Sequence, residues 1–268
     1  MSNLSSKMQT AIDKVADQMD SADEKVGAKI DEARGEPEQV SKHVDEKETT
    51  SSVHFGKECE RAITIVSEFI GNLDDAIPKH VITNAKGLAI LHVYRAGLSI
   101  SARYGSGLVI ARLPGGKWSA PSAIKIAGVG IGFVIGADIT DFVLVLNTED
   151  AVKAFSMGGD IRVGGDLSVA AGPIGRSAEA SASITNVSPI FSYSKSKGLF
   201  AGASLDGSVV MEAKETNEKQ YGRVIDAQEI LSGKIGCPTV AQALYSTLDA
   251  RIKMEYEAAE ANASAPSA

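Results

Sequence analysis

Two hydrophobic periodicities divide this chain of 268 residues. In the first, Ile12, Val15, Met19, Ala22 and Val26 follow one another by alternating steps of three and four, with Asp, Glu and Lys on the remaining faces. That spacing predicts an amphipathic helix over 1–34 with a heptad seam. A helix this short is marginal alone, so its seam packs on the rest of this chain, stays as a loose solvated helix, or pairs with a second copy in a homodimer through residues 12–26. Residues 35–54 are polar and include Pro37, the composition of a linker.

A folded domain is expected over 55–252, followed by a helix end and frayed tail at 253–268. Helical spacing recurs in 57–70, where Ala62, Ile63, Val66, Phe69 and Ile70 share a face. That face suits a core, and a membrane-lying helix is the alternative reading. A short helix is predicted from Pro78 to Asn84.

The period then shortens towards two. Strands are predicted at Leu88–Tyr94, Leu98–Arg103, Gly107–Leu113 and Phe142–Leu146, with a turn at Pro114-Gly115-Gly116. Ser119-Ala120-Pro121 reads as the start of a short helix carrying Ser122–Ala127. Thr148 with Glu149 and Asp150 reads as the capped, acidic start of a helix to Met157. Small and apolar residues alternate again in Ile161–Ala171, Ala178–Thr185, Ile190–Ser194 and Leu199–Met211, and two helices, 215–232 and 238–257, close the pattern. The expected fold class is α+β: a mostly antiparallel, Gly-rich sheet or barrel-like body with flanking helices, plus a separate N-terminal amphipathic helix.

Charge alters this picture by its distribution. The total is −7, but residues 1–55 hold 7 basic and 12 acidic side chains, whereas 79–205 hold 12 basic and 7 acidic. An acidic total disfavours nucleic acid as a partner, while a mildly basic body can meet phosphate on a lipid head group. The first residues show no apolar signal region. Ile124–Ile139, interrupted by Lys125, Asp138 and glycines, is too short and broken for a bilayer-spanning helix, so a cytoplasmic protein is expected.

Tests for reaction chemistry are negative. His43, His54, His80 and His92 combine with Cys59 and Cys237 at no metal-ligand spacing. The run GVGIGFVIG puts Phe133 where a dinucleotide fingerprint needs its third glycine, and Lys117 is followed by Trp118, not by the Ser or Thr of a phosphate loop. Asp138 and Asp141 are read as strand-end and turn-capping carboxylates. No catalytic residue, metal or cofactor is expected. The basic residues are more suggestive: Arg103 and Arg112 recur near strand ends, Lys117 sits in a turn, and Lys195 and Lys197 point the same way along a strand. These five are the candidate phosphate contacts.

Several longer stretches carry a resemblance. AKGLAI at 85–90, SGLVIARLPGGKWSAPSAI at 106–124, TDFVLVLN at 140–147, AVKAF at 151–155, GGDLSVAAGPIGRSAEA at 164–180 and YSKSKGLFAGASLDG at 193–207 together resemble the SYLF domain, over roughly Phe55–Arg251. The resemblance implies a non-enzymatic phosphoinositide- and membrane-binding module, peripheral at endocytic or plasma membrane and linked to cortical actin. It also implies, in the fungal branch, binding and bundling of actin filaments. The helix associated with membrane contact in the animal branch corresponds to 57–70, which makes Ile63, Val66, Phe69 and Ile70 the membrane-helix candidates.

Overall fold

The computed structural model describes residues 46–70, 77–157, 161–162, 169–171 and 188–250. The expected N-terminal helix with its heptad at 12–26, the strand at Ala178–Thr185 and the tail at 253–268 lie outside the described residues. The order along the chain is α1 (Glu46–Ile70), α2 (Lys79–Asn84), β1 (Gly87–Ala111), β2 (Ser122–Leu146), α3 (Glu149–Ser156), β3 (Ile161–Arg162), β4 (Val169–Ala171), β5 (Ile190–Glu212), α4 (Lys214–Tyr221), α5 (Ala227–Leu231) and a last helix, α6, over 239–250. Helix α1 starts at Glu46, so the last residues of the expected linker are helical.

The strands expected as short pieces are three long ones. β1 and β2 each span 25 residues and β5 spans 23. β2 pairs antiparallel with β1 on one side and with β5 on the other. β3 pairs antiparallel with one end of β5, and β4 runs parallel to the other end. Among the described residues the ladder is open, in the order β1-β2-β5-β3, so the barrel-like alternative gives way to an unclosed, mostly antiparallel sheet. The helix expected at Ser122–Ala127 is instead the first part of β2. Those residues are claimed by β1 and β5 together, and a two-sided ladder outweighs a weak local helix signal.

A straight strand of this length would reach about 80 Å, far more than a compact domain of this size can hold. The sheet therefore folds over. The amide of Arg112, just after β1, donates to the carbonyl of Lys86, just before it, at 2.7 Å. β1 thus begins and ends at one place. The bend falls mid-strand, where pairing with β2 shifts register between Leu98 and Ile100 and Ser99 takes a left-handed φ of 66°. The two halves of β1 then touch backbone to backbone. A Cβ on Gly107 would lie 1.9 Å from the Ile90 carbonyl oxygen, and one on Gly105 2.3 Å from that of His92. Glycine at these two positions is what lets the halves meet.

Alternation along the folded strands makes two apolar faces. Leu88, Ile90, Leu108, Ile110, Val143 and Val145 point to the face covered by α1 and α6, where they meet Phe55, Ala62, Val66, Phe69, Leu244 and Leu248. Leu91, Val93, Val109, Ile124, Leu144 and Leu146 form the opposite face, against Ala151 and Phe155 of α3 and Leu231 of α5. Helix α3 is capped as expected, with Thr148 Oγ1 accepting from the Ala151 amide at 3.1 Å.

The long helix expected at 215–232 is two helices. Gly222 takes a left-handed φ of 68° after α4, and Asp226 then caps α5 by accepting from the Glu229 amide. α4 in turn brings Asn217 into the core, where its side chain accepts from the Ala123 amide and donates to Ser122 Oγ and Glu212.

Candidate functional site

A polar surface lies where α1 crosses the sheet. The apolar side of α1 is spent on the core, and its flank meets the polar ends of the sheet rows. An open cleft of about 400 Å³ forms there, lined by Lys57, Glu60, Arg61, Thr64, Ile65, Glu68, His92, Asp141 and Lys197. One row of the ladder sets His92, Asp141 and Lys195 side by side, and the next sets Tyr94, Ile139 and Lys197. His92 Nδ1 is hydrogen-bonded to Asp141 Oδ1, and the edge of the Tyr94 ring abuts the imidazole. On the other face Arg95 Nε donates to Asp138 at 2.7 Å, and Thr140 Oγ1 donates to the other Asp138 oxygen at 2.8 Å.

Asp138 and Asp141 are therefore mid-strand residues, not strand-end or turn caps. Each answers a base across the β1–β2 ladder. A sequence separation of 43 and 49 residues hides both pairs from any local pattern.

The basic candidates do not converge. Lys195 Nζ donates to the Glu68 carbonyl at 2.6 Å and lies 5.0 Å above the Phe69 ring. It satisfies one of the carbonyls left open by the last turn of α1. Lys197 reaches the Glu68 carboxylate at 3.3 Å and is largely exposed, so the pair contributes little.

Arg112 performs the same service for α2. It donates to the Ile82 carbonyl at 3.1 Å and to Gly116 O, with its guanidinium 3.6 Å over the Trp118 ring. Burial lowers the pKa of that guanidinium. Lys117 is exposed on the hairpin turn, and Arg103 is half-buried in the second half of β1.

The membrane-helix candidates face inward. Val66, Phe69 and Ile70 are buried, and Ile63 is packed against the same core. In this conformation they are committed to the fold, and contact with lipid through them requires α1 to leave the sheet.

Lys57 and Arg61, one helical turn apart on α1, join Lys197 at the cleft and were not among the sequence candidates. Their spacing was the available signal, but the identity of the facing strand was not. Burial pushes the Cys59 thiol up to about 12 and also raises Cys237, which is exposed at the surface. Among the described residues, no three His, Cys, Asp or Glu side chains are grouped to hold a metal ion, and no helix is long and apolar enough to cross a membrane.

Comparison with known proteins agrees with the sequence resemblance. Residues 127–251 match the model of the Ysc84 family, described as "Las17-binding protein actin regulator". The chain is 50% identical over 212 residues to SH3 domain-containing YSC84-like protein 1 of Bos taurus. The chain belongs to the SYLF (Ysc84) family. The cattle alignment covers 77% of this chain and 62% of the relative. LAS seventeen-binding protein 3 of Saccharomyces cerevisiae is 49% identical over 201 residues, covering 72% of this chain and 44% of the relative. An SH3 domain-containing protein of Schizosaccharomyces pombe is 48% identical over 202 residues, 73% of this chain and 47% of the relative. The chain thus spans between about two-fifths and three-fifths of the length of these relatives. Within the SYLF domain, the matched stretch begins inside β2 and takes in β5, α4, α5 and α6.

Proposed function

We propose that this SYLF protein is a non-enzymatic membrane adaptor that binds phosphoinositide head groups and acts in endocytic traffic linked to cortical actin. The observation that carries the reading is the cleft beside α1, where Lys57, Arg61 and Lys197 face one opening. Glu60, Glu68 and Asp141 share that opening, so the cleft is selective for a group that can exchange with Glu68 for Lys197 rather than broadly cationic. A phosphorylated head group fits that description, because it brings several acceptor oxygens and more charge than one carboxylate.

Of the sequence candidates, Lys197 and Lys117 are exposed, and Arg103 is half-buried in the second half of β1. Arg112 and Lys195 act by holding helix ends. Co-sedimentation with phosphatidylcholine vesicles, with and without phosphatidylinositol phosphates, tests the reading. Binding that rises with the phosphoinositide, falls with salt and is weakened by Lys57→Glu with Lys197→Glu supports it. Binding indifferent to anionic lipid and to salt sinks it.

The actin-regulator description of the matching family favours a second reading, an actin-filament-binding and bundling protein without direct lipid function. Bundling requires two filament sites or a dimer, which the heptad at 12–26 would supply. Removal of residues 1–45 then abolishes bundling while single-filament binding persists; undiminished bundling by the shortened chain rules this out.

A further inference from the structure

The crease of the folded sheet carries an apolar patch that the core does not use. Five of the eight strongly exposed large apolar side chains among the described residues lie there: Leu98, Ile100, Val129, Ile135 and Ile139. Leu98 is 71% exposed and Ile135, directly opposite it on β2, 63%. By alternation these residues belong to the face that α1 covers nearer the strand ends, so the patch begins where the cover of α1 stops. Clustered exposure of this kind marks a contact surface, whereas single exposed aliphatics do not.

We propose that this crease is the part of the protein that enters an anionic lipid surface. The inference rests on the membrane-binding reading above and assigns its insertion to the sheet rather than to α1.

Three features select lipid over a protein partner. First, β1 and the part of β2 that reaches the crease carry charge of one sign, although β5 sets Asp206 opposite Gly130 beside Val129. No Asp or Glu occurs from residue 76 to residue 137, whereas seven Lys and Arg do, and Asp138 at its border is answered by Arg95. Second, the exposed side chains are aliphatic and carry no donor or acceptor, and β2 keeps an unbroken ladder to β5 through the crease, while its ladder to β1 skips residues 132–134. Along the β5 edge its backbone can therefore approach an apolar layer without losing partners. Protein hot spots favour aromatic and Arg anchors seated in pockets instead. Third, the depth fits. Tyr94 and Arg95 lie three to four residues back from Leu98, roughly 10–13 Å along a strand. An apolar element that dips about 5–10 Å into the boundary leaves those residues at head-group level.

The test uses the full chain with vesicles of phosphatidylcholine and phosphatidylserine, with and without phosphatidylinositol phosphates. Leu98→Ser with Ile135→Ser should weaken vesicle binding about thirtyfold or more, from the apolar area withdrawn from lipid. Val224→Ser is the control. Val224 is 81% exposed but stands in the loop between α4 and α5, and its substitution should change binding less than about twofold. In a separate variant, Leu98→Trp, lipids brominated on their acyl chains should quench the new fluorescence, while the wild type with only buried Trp118 gives the blank. Circular dichroism checks that each variant folds.

If the wild type binds and the double variant binds equally, or the fluorescence of Leu98→Trp is not quenched, the crease assignment is overturned and the head-group reading stands. If the wild type binds no vesicle of any composition, both fall. A wild-type dimer that the double variant converts to monomers, with vesicle binding intact, identifies the patch as an interface between copies and also overturns the assignment.

Discussion

The two ends of the same sheet differ sharply although the same strands build both. Near the strand ends, β1 and β2 are covered on both faces, by α1 and α6 on one and by α3 and α5 on the other. At the crease, the alternation of residues continues unchanged, yet Leu98 and Ile135 stand in solvent while Leu108 is fully buried. Residue type does not separate the two regions. Helix coverage does: the described α1 side chains at the cleft meet the rows holding His92 and Lys197, short of Leu98 and Ile135. An apolar side chain stabilises this fold only where a second layer removes it from water.

The sharpest way to break that comparison is a matched truncation at each end. Leu108→Ala should cost about 3 kcal/mol by leaving a cavity under α1. Leu98→Ala should stay within about 0.5 kcal/mol. Urea denaturation of both variants decides it, and equal costs would show that the crease is a second core.

Gly107→Ala tests the closure between the halves of β1. Its Cβ meets a backbone oxygen, which cannot rotate away as a side chain can, so a loss of about 2–3 kcal/mol is expected from the same unfolding curves. A near-neutral result would mean that the halves separate freely.

Asn217→Ala probes the polar fastening of the covered end. It leaves the buried Ala123 amide and Ser122 hydroxyl short of a partner, at about 2 kcal/mol. The alternative outcome, a change below about 0.5 kcal/mol, would mean that water replaces the side chain.

The smallest effect is a contrast in thiol reactivity. Cys59, on the buried face of α1, has its pKa pushed up to about 12, so its thiolate is scarce in the folded protein. Cys237 is exposed, and although burial of its surroundings raises it too, alkylation near pH 8 (about the ordinary thiol range) should label it alone. Mass spectrometry reads the stoichiometry, and denaturation should add the second label. Prompt double labelling of the native chain would show that α1 lifts from the sheet, which is also what lipid contact through Val66 and Phe69 requires.

Much of the framework is legible in local signals. Helix α3 follows from Thr148 and its acidic first turn, and the turn at Pro114-Gly115-Gly116 from its residue types, with Gly115 and Gly116 both at positive φ. The inward stripe Ala62, Val66, Phe69 and Ile70 of α1 follows from helical spacing, but that spacing left core and membrane as open alternatives. Less legible were the lengths of the strands. The gaps between the predicted strands fall at Gly97 and Gly105, so β1 reads as three strands, because an interruption and a bend leave the same local trace.

The basic candidates teach the same point from the other side. Lys195 and Arg112 look available as sequence, but each closes a helix end whose carbonyls lie 127 and 30 residues away.

By itself, then, the sequence determined most element types, though not the strand at Ser122–Ala127, together with the α+β class, the family and the positive sign of the body, because propensity, alternation and charge act over a few neighbouring residues. Tertiary structure alone decided that the sheet folds over at Ser99, that Asp141 meets His92 and Asp138 meets Arg95, that α1 turns its apolar face inward, and that the apolar alternation runs on past its cover to the crease. Those outcomes depend on which distant segments share a row or a face. Only closure of the chain brings such segments within bonding distance, and the pattern on either segment alone does not name its partner.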